Sequence, residues 1–226
     1  GIYRDSKLFS GADYHPASVA NVGIGLMSLC IADKMQWTNN ASQQVITTLR
    51  TIMGSDPTFH LDRNSAGFPR HFVGMETGAQ AGSTEYSTID AAIMVSGALF
   101  CKKYFSTNTT IANLADSLYK SINWSKAIAN PTTGTMYLSL DANGNGIGTT
   151  SVYNEYMLVA NLAYKAENGA GGNATTLWNN FFANTANLPK SNYWGFETLT
   201  DYPGSFLPDF IPQFCYYMCN PYSGST

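Results

Sequence analysis

Acidic side chains are scarce in this chain, 15 Asp and Glu among 226 residues, so their placement is informative. Glu76 and Glu85 fall within or at the end of a glycine-rich stretch. Asp90 follows among Ile89, Ala91, Ala92 and Ile93. Glu155 stands in the run Tyr153, Asn154, Glu155, Tyr156, and Asp5 sits in the N-terminal loop. Carboxylates at the ends of helices that open long loops can face one cleft. Two of them in unlike environments divide acid and base work, one donating a proton while the other activates water or attacks. That is the equipment for breaking a glycosidic bond. Phe72, Tyr86, Tyr153, Tyr156 and Trp194 add flat faces for sugar rings and, from the tyrosines, hydroxyl donors. A plainer reading stands beside this one, since an acid in a first helical turn often only complements the helix dipole or completes a capping box. Glu85 and Glu155 fit either role. Asp90 is harder to place among apolar neighbours without a partner or a polar cleft. His71 reads first as a structural histidine and second as an acid–base group.

Composition narrows the setting. Charged residues make up 12% and the net charge is −3 with 12 Lys and Arg and no basic run, which excludes a phosphate-neutralising nucleic-acid face. Apolar residues at 44% suit a folded domain with a core, expected as a single domain over 1–226. No apolar stretch is long enough to span a membrane. Low charge with many Tyr and Asn suits an extracellular or periplasmic protein, and the start at Gly1 suits a mature or excised piece of a longer one. Three histidines and no C-x-x-C spacing give no support to a metal site, and no cofactor is expected. Among Cys30, Cys101, Cys215 and Cys219, the first two lie in helical patterns as buried thiols or as disulfide partners, with the pairing open. Asn40, Asn108, Asn123 and Asn173 head N-x-[ST] sequons, which matter only in a glycosylating host. The run DANGNG at 141–146 resembles the start of a calcium loop but has Val152 where the distal Glu belongs, so it reads as a tight turn.

The elements that position these groups are mostly helical by period. Helices are expected over about 17–35, 39–53 (capped by Thr38), 86–105 (capped by Thr84 or Ser83), 111–122, 152–167, 173–186 and 208–219. Apolar stripes mark them: Val19, Val22, Leu26, Leu29 and Cys30; Val45, Ile46, Leu49, Ile52 and Met53; Ile89, Ile93, Leu99 and Phe100; Ile111, Leu114, Ala115, Leu118 and Tyr119. Gly23 and Gly25 interrupt the first helix and mark a close approach. Residues 54–83 read as a long loop with two short strands around Phe68 to Val73, a length that suggests function. Residues 124–151 read as a second loop or hairpin.

Taken together, NVGIGLMSLC at 21–30, GFPRHF at 67–72, ETG at 76–78, EYSTIDAA at 85–92, GALF at 97–100 and YNEYML at 153–158 resemble the glycoamylase-like family of glucoamylase relatives. That family includes bacterial endo-β-1,2-glucanases and domains of cyclic β-glucan synthases. The resemblance runs over nearly the whole chain and rests on the order and spacing of the motifs. It implies an all-α fold, a partial (α/α)6 toroid, and cleavage of β-glucan by carboxylates drawn from Glu85, Asp90 and Glu155. It also implies Arg70 and His71 on a loop over the cleft, beside which Tyr86, Tyr153, Tyr156 and Trp194 stand, by residue type, as the further sugar contacts. One departure is Pro69-Arg70 before the His, where the family usually has an aromatic. Another is helix number: six or seven are expected here, about half of a full toroid. Either the chain is part of a longer enzyme, or it is a shortened relative that self-associates. The competing class is a non-catalytic carbohydrate-binding or assembly-forming extracellular subunit.

Overall fold

The computed structural model describes residues 1–6, 15–150, 153–208 and 210–218, apart from the side chains at 210, 212, 215 and 216. The chain divides into two compact units, Gly1–Asn123 and Trp124–Thr226.

The first unit is two helical hairpins. Helix α1 (Val19–Lys34) buries Val19, Val22, Leu26 and Cys30 of the expected stripe and leaves Leu29 partly exposed, and α2 (Ala41–Ile52) buries Val45, Leu49 and Ile52 and leaves Ile46 partly exposed. Helix α3 (Thr88–Tyr104) and helix α4 (Thr109–Lys120) follow, with the Asn108 side chain capping the Ile111 amide. Helix α1 packs on α3 and α2 on α4. The α1–α3 contact is made without side chains at its centre. A Cβ on Gly97 would stand 2.3 Å from the Gly23 carbonyl oxygen, so only glycine allows the backbones so close. Further along, Cys30 meets Cys101, so the two helices advance in the same direction.

Both helices begin alike. Strand β1 (Ala17–Ser18) leads into α1, and β3 (Tyr86–Ser87) leads into α3. The segment 69–73, which ends in β2 (Phe72–Val73), lies across the starts of the two helices. Strand β2 pairs antiparallel with β1, and the Val19 amide donates to the His71 carbonyl. On the other side the His71 amide donates to the Glu85 carbonyl and the Ser87 amide to the Pro69 carbonyl. The long loop between α2 and α3 therefore returns over the N-termini of α1 and α3. It is ordered by its own polar groups: Asn64 Oδ1 accepts from the Ala66 and Phe68 amides, and Phe59 and Phe68 are buried beneath it.

In the second unit a 3-10 turn (Trp124–Ala127) precedes β4 (Ile128–Asn130), β5 (Thr135–Leu140) and β6 (Gly146–Thr149). Strand β5 pairs antiparallel with both neighbours. The β5–β6 link is the expected tight turn, where Asp141 Oδ1 accepts from the Asn143 and Asn145 amides. Helix α5 (Met157–Glu167) is buried continuously from Met157 to Ala163. Helix α6 (Asn173–Leu177) runs on into a wide turn over Trp178–Phe182. A hairpin of β7 (Lys190–Tyr193) and β8 (Phe196–Leu199) and helix α7 (Phe210–Met218) complete the unit.

Three expectations are corrected. The chain is not all-helical, because short strands lead into its helices and form a three-stranded antiparallel meander, β4–β5–β6, and the β7–β8 hairpin. Helix caps fall at Asn40 and Ser87, not at Thr38 or at Thr84 and Ser83. Thr38 Oγ1 instead accepts from the Asn40 amide, and Thr84 Oγ1 from the Phe72 amide. Helix α5 begins at Met157, leaving Glu155 in the turn ahead of it, whose carbonyl accepts from the Leu158 amide. The expected helix start at Val152 and the helix end at Cys219 lie outside the described residues.

Candidate active site

The starts of α1 and α3 bring three side chains of the first unit together. His71 Nδ1 is 3.1 Å from Glu85 Oε1, and its Nε2 is 3.6 Å from Asp90 Oδ1. One ligating atom from each residue lies within 4.8 Å of the others. The sequence explains the placement. Glu85 and His71 face each other because the segment carrying His71 is hydrogen-bonded to the residues just before α3. Asp90 lies in the first turn of α3, where Ser87 Oγ caps its amide.

Their environments differ. Asp90 is 6% exposed, whereas the Glu85 side chain is 47% exposed and His71 lies between the two. Burial pushes the Asp90 carboxyl above the ordinary carboxylate range, against the opposing pull of the nearby His71 and the Ser87 hydroxyl. His71 also stacks on Phe72, with ring centroids 3.8 Å apart. The set has two carboxylates and one imidazole, which are also donors to a hard or borderline cation.

Arg70 and Tyr86 form a second constellation beside the first. Arg70 Nε donates to Asp62 Oδ2 at 3.1 Å and Nη1 to the Thr84 carbonyl at 2.6 Å, and its guanidinium lies 3.8 Å over the Tyr86 ring. The Tyr86 hydroxyl donates to Asp62 Oδ1. Arg70 and Tyr86 are thus committed to holding the loop that carries His71. Asp62, the anchor of both, gives no local signal in the sequence, because its partners are 8 and 24 positions away. Ser87 likewise escapes sequence reasoning, standing one residue inside the element expected as helix.

The remaining candidates belong to the second unit. Glu155 is half-buried in the turn before α5, flanked by the buried Tyr153 and Tyr156. Trp194 is 92% exposed at the tip of the β7–β8 hairpin.

No protein-family model matches the chain, and no curated protein sequence matches it either. Solved structures do. A glucoamylase-like protein from Bacteroides caccae superposes with a TM-score of 0.67 at 18% identity, over 90% of this chain and 50% of that one. One from Bacteroides uniformis gives 0.65 at 19% identity, over 85% and 48%. The fold is glucoamylase-like. An endo-β-1,2-glucanase from Chitinophaga pinensis, in complex with sophorotriose and glucose, shares this glucoamylase-like fold with a TM-score of 0.63 at 18% identity, over 82% and 45%. The chain spans about half the length of these structures.

Proposed function

We propose that the chain is a glycoside hydrolase-like domain that cleaves β-glucan, with the Glu85–His71–Asp90 cluster as its acid–base group. The observation that carries the reading is one imidazole held between an exposed and a buried carboxylate at the N-terminal ends of two parallel helices. The closeness of the two carboxylates gives them one joint role. Opposed carboxylates on either side of a scissile bond stand about 5–9.5 Å apart with sugar between them, and here an imidazole fills the gap. Glu85, open to solvent, protonates the leaving oxygen. His71 orients Glu85 and returns a proton to it, and buried Asp90 holds the imidazole in place. Water supplies the hydroxyl that ends on the anomeric carbon, and its remaining proton passes to His71, which is the proton returned to Glu85. β-Glucan is the substrate class because a protein of this fold is an endo-β-1,2-glucanase. Low charge and abundant Tyr and Asn favour an extracellular or periplasmic setting.

The test is release of reducing ends from β-1,2-glucan and other β-glucans by Glu85→Gln, Asp90→Asn and Glu155→Gln. Loss of an acid–base group lowers kcat about 10²- to 10⁴-fold. Loss in Glu85→Gln and Asp90→Asn supports the cluster, and loss in Glu155→Gln adds a second catalytic carboxylate. Unchanged turnover in all three refutes the assignment. A second reading, a carbohydrate-binding subunit without turnover, is favoured by the exposed Trp194, Phe196, Tyr202 and Phe206 of the second unit.

A further inference from the structure

We propose that Cys30 and Cys101 are a disulfide-forming pair that locks α1 to α3 when the protein folds under oxidising conditions. Their Sγ atoms lie 3.4 Å apart, and the two residues are 1% and 0% exposed. A disulfide bond is about 2.05 Å long, so closure asks for a shift of about 1.4 Å, shared between two side chains. The backbone already makes the approach. Glycines 23 and 97 set α1 and α3 in backbone contact, and each cysteine lies one or two turns further along its own helix. Cys101 also donates to the Leu26 carbonyl at 3.3 Å. That carbonyl is the intrahelical acceptor for the Cys30 amide, so it is not orphaned when the thiol is consumed.

The chemistry balances with a small-molecule disulfide such as oxidised glutathione as oxidant. The Cys30 thiolate attacks one glutathione sulfur and expels a glutathione thiolate, leaving a mixed disulfide. Cys101 then attacks the Cys30 sulfur and expels the second glutathione. Two electrons pass to glutathione, and the two thiol protons end on the two glutathione thiols. The order of attack follows from the pair itself. The hydrogen bond from Cys101 stabilises the Cys30 thiolate and lowers its pKa, whereas that same bond, together with burial, keeps Cys101 protonated. The cross-link joins positions 71 residues apart and closes a long loop of the unfolded chain. It also ties together the two helices whose N-terminal ends meet at His71 and Asp90.

The experiment refolds the full chain from denaturant in a glutathione redox buffer, so that burial does not limit access. Free thiols are then alkylated in denaturant and peptides are mapped without reduction. A single cross-linked peptide pair containing Cys30 and Cys101 is expected, lighter than its reduced parts by two hydrogens. Reduction should lower the melting temperature by roughly 5–15 °C. Cys101→Ser should show no such drop, and Cys30→Ala/Cys101→Ala should match the reduced protein if it folds. Full alkylation of both residues after oxidative refolding overturns the proposal, as does a cross-link from either one to Cys215 or Cys219.

Discussion

Replacing Gly23 by Ala tests the contact on which the site geometry depends. In an ordinary helix this change is favourable by roughly 1 kcal/mol, because Ala loses less backbone entropy. Here the new Cβ would stand 2.1 Å from the Ile93 carbonyl oxygen, 2.6 Å from its carbon and 2.9 Å from Met94 Cα. All three are backbone atoms of α3, so no rotamer change relieves the clash. Normal contact near about 3.5 Å requires the helices to part by about 1.4 Å at the Ile93 carbonyl. A gap of about 0.5–1 Å already forfeits about a quarter to a half of each facing contact. Val22, Leu26 and Cys30 on α1 and Met94, Ala98 and Cys101 on α3, all buried, bear the loss. Overpacking of this kind costs about 1–3 kcal/mol where side chains can yield, and more against backbone. After the propensity gain, a net loss of about 3 kcal/mol is expected, a fall of roughly 6–12 °C in Tm by calorimetry. Gly54→Ala is the control. Its Cβ meets nothing within 4 Å, but its φ of +79° leaves a backbone penalty of about 1–2 kcal/mol. A Gly23→Ala protein as stable as the parent, or more stable, would refute the close crossing. It would also remove the reason for α1 and α3 to meet at His71.

Asp90→Asn should separate activity from stability. A carboxyl raised by burial contributes stability that is fully present at acid pH, below its unfolded pKa, and is lost as pH rises through its higher folded pKa. The amide carries no such dependence, so the Tm of Asp90→Asn should gain on the parent as pH rises from about 3 to 7. A Tm difference independent of pH would contradict the burial of an ionised Asp90. Trp194→Ala should leave Tm within about 2 °C, since the ring is 92% exposed. It should weaken retention of the protein on insoluble β-glucan several-fold if the hairpin meets sugar, and unchanged retention would remove Trp194 from the substrate contacts.

The first unit is largely legible in the sequence because its helices are patterned. Residues 41–52 and 109–120 repeat apolar groups at three- and four-residue steps, and the stripes Val45, Leu49, Ile52 and Ile111, Ala115, Leu118 are buried as expected. Helix α3 is legible as a helix but not by face. It is apolar nearly all round, so Leu99 and Phe100 look like core, yet Phe100 is 37% exposed while Ser96 and Gly97 are buried. Strand β2 falls where short strands are expected around Phe68 to Val73, whereas β1 and β3 leave no signal, since two residues are too few to show alternation. The β7–β8 hairpin escapes notice because its turn places Trp194 at φ 51°, where Asn or Gly is the usual sign. In the site, Asp90 stands out for being charged among apolar neighbours. His71 reads as structural because nothing local links it to residues 14 and 19 positions later. That link is made by backbone pairing of the His71 segment with the residues before α3, a long-range register that periodicity does not carry.

The arrangement of these groups argues for function over stability. A buried ion pair repays its desolvation only where its geometry is excellent and every remaining hydrogen bond is satisfied. Here the buried member, Asp90, sits where charge is disfavoured, and the exposed member, Glu85, gains little from an ion pair open to water. A stabilising design would put an amide at position 90, keeping a polar group beside His71 and Ser87 without a buried charge. The chain instead keeps a carboxyl whose proton affinity is raised, wired through an imidazole to a second carboxyl that meets solvent. The cluster keeps this geometry only while the glycine contact between α1 and α3 holds their N-terminal ends side by side.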